Sequence, residues 1–162
     1  NDTAHFATRA QNLYGYDHFI CDTGGSICEW VDAADLSDPL LTALSDECLL
    51  IWIKGDEDHT QELIRRFDKA PKPMAYQPAF LAEVWADYLS KINGQEDAVD
   101  PDDFIRWTYA QALAHRQPRY AAMAEWGVTI TPDQIGALTH EADFVDLIAD
   151  QLDTMPAKMT PS

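Results

Sequence analysis

The run Phe19-Ile20-Cys21 ends in Asp22 and then in Thr23-Gly24-Gly25-Ser26, and this order constrains the chain more than any other feature. Two further apolar runs are equally short: Leu49-Leu50-Ile51-Trp52-Ile53, closed by Lys54-Gly55, and Val128-Thr129-Ile130-Thr131, opened by Gly127. Runs of this length are too short for helices, and the first two are continuous rather than alternating, the pattern of strands covered on both faces of a parallel sheet. With helical sequence between the runs, the expected class is α/β: three layers around a parallel sheet, with strands over 17–22, 49–53 and 128–131. A carboxylate and paired glycines at a strand's carboxyl end belong to a ligand crevice, because that edge is where such sheets receive substrates.

The remaining sequence reads mainly as helix. Phe6, Ala10 and Leu13 give residues 3–14 an apolar side, and Gly15 stops the helix. A short helix is expected after Ser26, another over 40–48, and a third over 58–68, where Leu63, Ile64 and Phe67 recur at helical spacing. Pro71 and Pro73 force an extended bend. Pro78 suits the first turn of a helix over 79–92, striped by Phe80, Leu81, Val84, Trp85, Tyr88 and Leu89. Asp100-Pro101 starts a helix over 102–114, a break is expected at 116–118, and a further helix over 118–126 follows. The terminal helix is expected over 141–152, with Phe144, Val145, Ile148 and Leu152 inward. The expected organisation is one α/β domain over 1–153, with a mostly helical lid or insertion over 56–127 at the carboxyl edge of the sheet. A flexible tail is expected over 154–162.

Composition narrows the function classes. The 162 residues carry a formal net charge of −17, which disfavours nucleic acid and anionic membranes as partners. No apolar run approaches the roughly 20 residues of a membrane span, and the first residues lack the pattern of a secretory signal. Cys21, Cys28 and Cys48 are odd in number and form no C-x-x-C pair, as expected of reduced thiols in a cytoplasmic protein. The histidines show no metal-ligand spacing with cysteines or acids. The chain opens at Asn1 without Met, inside a polar helical segment, and is expected to be a piece of a longer polypeptide.

On so acidic a chain the few cations are informative. Arg65, Arg66, Lys69 and Lys72 fall within eight positions before the proline bend, and Arg106, His115, Arg116 and Arg119 gather around the next expected helix break. Two such clusters suit the capture of an anion, such as ATP phosphates or a carboxylate substrate. The plainer alternative is surface pairing with neighbours such as Glu62 and Asp68. Asp22 has its own plain alternative, a carboxylate that bonds loop amides, and Gly24-Gly25 can merely make a turn.

The ordered series of Thr23-Gly24-Gly25-Ser26, the run 49–53, the basic helix, Lys72-Pro73-Met74, Arg116-Gln117-Pro118-Arg119-Tyr120, the run 128–131 and a final helix resembles the later two-thirds of the shikimate-kinase and gluconate-kinase group of P-loop kinases. Tyr14-Gly15-Tyr16-Asp17-His18-Phe19 is similar to a segment of bacterial proteins described only as P-loop ATPases. The resemblance covers most of the chain, with a helical insertion near 77–110 that the small kinases lack. It implies ATP and Mg²⁺ as cofactors and phosphoryl transfer or ATP hydrolysis as the activity. It implies that Asp22 orients Mg²⁺ through water, that Gly24 and Gly25 lie against a small anionic acceptor, and that Arg116, with Arg119 beside it, grips that acceptor. Arg65, Arg66 and Lys72 would close over the phosphates as a lid. Lys72 stands where the family has arginine and so lacks its bidentate fork, and Arg119 replaces an apolar residue.

No G-x-x-x-x-G-K-[ST] phosphate loop occurs in these residues. In the kinase-type sheet the phosphate-loop strand lies between the strand ending at Asp22 and the strand 49–53. The resemblance therefore implies a slot, filled by an upstream phosphate-loop segment, by a second copy of the chain or by a rearranged pairing of the two strands, and no turnover of ATP by these 162 residues alone. Two rival readings need no nucleotide: a non-catalytic α/β module binding an acidic metabolite or partner peptide, and an interaction domain whose Trp85 and Trp107 pack on another subunit.

Overall fold

The computed structural model describes residues 2–154. It is an α/β structure, mostly helical, with seven α-helices and a two-stranded parallel sheet among these residues. The helices are α1 (Thr3–Tyr14), α2 (Pro39–Glu47), α3 (Glu57–Lys69), α4 (Pro78–Lys91), α5 (Pro101–Ala124), α6 (Pro132–Gly136) and α7 (Glu141–Thr154). The strands are β1 (Ile51–Ile53) and β2 (Val128–Ile130), and single 3₁₀ turns cover Gly25–Glu29 and Glu96–Ala98. The chain divides into two compact units. The first holds residues 2–54 and 119–154, and the second is Gly55–Pro118. Beyond Thr154, the tail expected over 154–162 lies outside the described residues.

In the first unit β1 and β2 pair in parallel, Ile51 opposite Val128, Trp52 opposite Thr129 and Ile53 opposite Ile130. The Val128 amide donates to the Leu50 carbonyl at 2.9 Å, and the Lys54 amide donates to the Ile130 carbonyl at 2.8 Å. Even-numbered backbone groups of this stretch therefore face β2, and those of Ile51 and Ile53 face the opposite edge. Gly127 enters β2 where a Cβ would collide with the Leu50 carbonyl, so only glycine allows this approach. Val128 and Ile130 are buried, whereas Ile51 and Ile53, on the same face one strand over, are exposed. The layer packed against β2, α7, thus leaves β1 uncovered.

Local chemistry explains the helix starts. Asp38 is buried at the start of α2, where its Oδ1 accepts the Leu40 and Leu41 amides at 2.9 and 2.8 Å and its Oδ2 accepts the Asp32 amide at 2.9 Å. The Asp32 amide first, then that of Leu41, holds this carboxyl below its ordinary range. Thr131 and Gln134 cap α6 reciprocally, side chain to backbone in both directions. Asp56 and His59 make the same box at the start of α3.

Two expectations are corrected. The strand expected over 17–22 does not form; residues 17–24 have no regular structure, and Ile20 is 89% exposed. A strand persists only when its backbone groups are paired, and no described strand lies beside this one. The sheet therefore has two strands rather than three. The helix break expected at 116–118 is also absent, because α5 runs unbroken with Pro118 inside it. Proline removes one donor and crowds the carbonyl four residues back, but packing along a long helix can carry it through that loss. Pro118 is also the last residue of the second unit.

The second unit contains α3, α4 and the larger part of α5. Phe80, Val84 and Ala112 form its buried core, with Tyr76, Phe104 and Trp107 packed around them. Trp85 and Tyr88 meet Phe104 edge-on at 5.0 and 5.2 Å between centroids, and Phe67 stacks on Tyr109 at 3.9 Å. The stripe read from 79–92 is therefore largely core, although Leu81 remains exposed.

Candidate functional site

The loop 22–25 is shaped by its own residues. Asp22 Oδ1 accepts the Gly24 amide at 2.9 Å, so the carboxylate bonds a loop amide, the plainer of the two roles open to it. Its second oxygen has no partner among the described residues. Gly24 has φ 69° and ψ 145°, a conformation that essentially only glycine adopts, and a turn of 3₁₀ helix starts directly after it. The Tyr120 hydroxyl donates to the Gly25 carbonyl at 3.0 Å, and a Cβ at Gly25 would strike that hydroxyl. The structure thus brings the glycine loop and the Tyr of Arg-Gln-Pro-Arg-Tyr together across 95 positions of sequence. The Tyr120 ring lies 6.5 Å from that of Trp52 on β1. Trp126 Nε1 donates to the Ala33 carbonyl at 3.1 Å, tying the turn that follows α5 to the segment after the loop. Arg119 is exposed and belongs to this first unit.

The other candidate cations belong to the second unit. Arg65 holds Glu62 with two hydrogen bonds of 2.6 Å, and Arg66 Nε reaches the same carboxylate at 2.7 Å. Arg65 first, then Arg66, holds the Glu62 carboxyl down at about 2. Both arginines are thereby engaged as surface ion pairs along α3, the alternative weighed against a phosphate lid. Lys72 is exposed, in the segment without regular structure between α3 and α4. Arg116 is buried within α5, its guanidinium 5.9 Å from the centre of the Tyr76 ring. Nearby, burial pushes the Tyr109 phenol up, and the Arg116 charge partly offsets that shift. Arg116 is therefore a packed residue of a continuous helix, not the tip of a loop. His115 lies beside Phe80, with ring centroids 4.6 Å apart.

Tyr120 is the residue that reading the sequence undervalued. It stood inside the quoted motif, but a partner 95 positions away leaves no trace in local spacing. Among the described residues no three His, Cys, Asp or Glu side chains gather as a metal-ligand set. No described helix is long and apolar enough to cross a membrane. Comparison with protein-family models, with curated proteins and with solved structures finds no match to this chain.

Proposed function

We propose that this chain is the later portion of a P-loop ATPase or small-molecule kinase, and that the polypeptide becomes competent for ATP when a phosphate-loop strand joins the open edge of β1. The observation that carries the reading is the asymmetry of the sheet. One edge of β1 is paired with β2, while the other presents the backbone groups of Ile51 and Ile53 beside exposed Leu49, Ile51 and Ile53 side chains. An apolar, half-paired strand is what a sheet lacking an inner strand leaves behind. The unformed strand 17–22, with Phe19 and Ile20 exposed, agrees with the loss of the same neighbour.

In this reading the loop held by Tyr120 is the acceptor-side element, with Gly24 and Gly25 presenting backbone to a small anionic substrate. Asp22 fits a Mg²⁺ ion through water, because one hard carboxylate oxygen remains uncommitted while the other fixes the loop. Bound Mg²⁺ would supply charge neutralisation on the phosphates, the main requirement of phosphoryl transfer. Lys72, Arg116 and Arg119 are the cations proposed for anion binding. Arg65 and Arg66, which hold Glu62 in this structure, are proposed with them.

The test is Mg-ATP titration calorimetry on the complete polypeptide encoded by the gene. Saturable binding is expected, weakened at least about tenfold by Asp22→Ala, the loss of one charge-assisted contact. Arg116→Lys, which retains the charge at a buried position, is expected to bind Mg-ATP while losing the acceptor. Absence of saturable nucleotide binding by the complete polypeptide contradicts the proposal and leaves the non-catalytic module.

A further inference from the structure

The second unit holds an open cleft of about 410 Å³, walled by α3, α4 and α5, and it includes none of the residues proposed above for nucleotide or acceptor binding. That volume lies in the range of small-molecule sites, roughly 300–1,000 Å³. Its aromatic wall is Trp107, whose ring packs 5.3 Å from that of buried Tyr88, and Ile64 and Ile92 add aliphatic surface.

Four charged side chains line the cleft, and they differ in what they have left to offer. Each nitrogen of Arg106 already faces an oxygen of its own surroundings. Its Nε donates to the Asp68 carbonyl at 3.2 Å, one terminal nitrogen binds Asp103 at 3.1 Å and the other approaches Asp102 at 3.8 Å. Arg106 with Asp103 is thus a clamp between the end of α3 and α5. The Asp68 carboxylate and the Lys91 ammonium have no ion-pair partner among the described residues. Lys91 instead rests its Nζ 5.9 Å from the centre of the Trp107 ring. The cleft therefore offers one uncommitted anion, one uncommitted cation and an apolar wall.

The geometry points to a binding site for a small zwitterion with an apolar body, of the class of an aromatic or large aliphatic amino acid. Its carboxylate meets Lys91, its ammonium meets Asp68, and its side chain lies on Trp107. A simple anion would satisfy Lys91 but would enter against the field of a chain with net charge −17. A simple cation would leave Lys91 unanswered. A neutral zwitterion answers both groups and escapes the repulsion. This site is independent of the nucleotide reading and survives its failure.

The probe is L-phenylalanine, titrated at pH 6 while the indole N–H resonance of Trp107, assigned through Trp107→Phe, is followed by NMR. Saturable binding that moves this resonance is expected. N-acetyl-L-phenylalanine, without the ammonium, and L-phenylalaninamide, without the carboxylate, are each expected to bind at least about tenfold more weakly. Asp68→Asn is expected to weaken phenylalanine but not its N-acetyl derivative, and Lys91→Gln to weaken phenylalanine but not its amide. Both side chains are exposed, so circular dichroism should show the helices unchanged. No saturable binding, equal binding of all three compounds, or a Trp107 resonance that stays still overturns the proposal.

Discussion

The two units solve the problem of apolar surface differently. In Gly55–Pro118 the aromatic side chains close on one another: Phe80 and Tyr88 are buried, and Phe104 touches both Trp85 and Tyr88. Large exposed apolar side chains there are few, Leu63, Met74 and Leu81 among the described residues. The sheet-bearing unit has buried anchors too, in Cys28, Leu41, Leu44, Val128 and Ile130. Yet it leaves Phe6, Leu13, Tyr14, Phe19, Ile20, Leu49, Ile51 and Ile53 exposed. Scattered exposed apolar residues are ordinary on any protein, but a strand edge and a run of strand composition beside a glycine loop are not scattered. The difference is that one unit buries its aromatic residues against one another, while the other leaves a strand edge and much of its apolar surface exposed.

Breaking the sheet should have the largest effect. Gly127→Val drives a side chain into the Leu50 carbonyl, so β1 and β2 cannot keep their register. Amide hydrogen exchange should show protection lost at Val128 and Ile130 and retained at Val84. Equal loss at Val84 would merge the two units into one cooperative block. Next comes the closed core: Phe80→Ala should cost about 3–5 kcal/mol, read from denaturant midpoints, because surrounding rings cannot collapse into the space. A cost under about 1 kcal/mol would mean that this core is no tighter than the sheet unit.

A smaller change sharpens the role of the loop. Gly24→Ala forces a Cβ onto a backbone at φ 69° and should cost about 1–3 kcal/mol. Its diagnostic sign is release of Tyr120 from Gly25, visible in the exchange rate of the tyrosine hydroxyl. The smallest effect is electrostatic and belongs to the helical unit. The Glu62 carboxyl is lowered from 4.5 to about 2 by Arg65 and Arg66. A carboxyl depressed in the folded state contributes stability in full above its unfolded value, and that contribution is lost as pH falls through the folded one. The helical unit should therefore weaken slightly as pH drops from about 4.5 towards 2, and Glu62→Gln should flatten that slope. The pair is exposed, so 1 M salt should shrink the effect further. A slope unchanged by Glu62→Gln would assign it to other carboxylates.

What the sequence made legible follows from how far each determinant lies along the chain. Helix α4 was readable because Phe80, Val84 and Tyr88 recur within one stretch and Pro78 marks the first turn. Strands β1 and β2 were readable because short apolar runs end at Lys54 and start at Gly127. The run at Phe19-Ile20-Cys21 has the same local signature and still forms no strand, because pairing is a property of a neighbour and not of the run itself. Pro118 misled in the other direction: a local breaker was overridden along a 24-residue helix, which turned Arg116 from a loop cation into a buried one. The Tyr120–Gly25 bond and the Asp68–Lys91–Trp107 cleft join residues too far apart for any spacing rule. Both exist only in the folded chain.

The outer edge of β1 is the central claim, and amide hydrogen exchange at Ile51 and Ile53 tests it most directly. In the 162-residue chain these two amides should exchange quickly while Trp52, facing β2, stays protected. In the complete polypeptide encoded by the gene both should become protected, as a strand occupies that edge. Slow exchange at Ile51 and Ile53 in the 162-residue chain alone, or fast exchange in the complete polypeptide, would contradict the account.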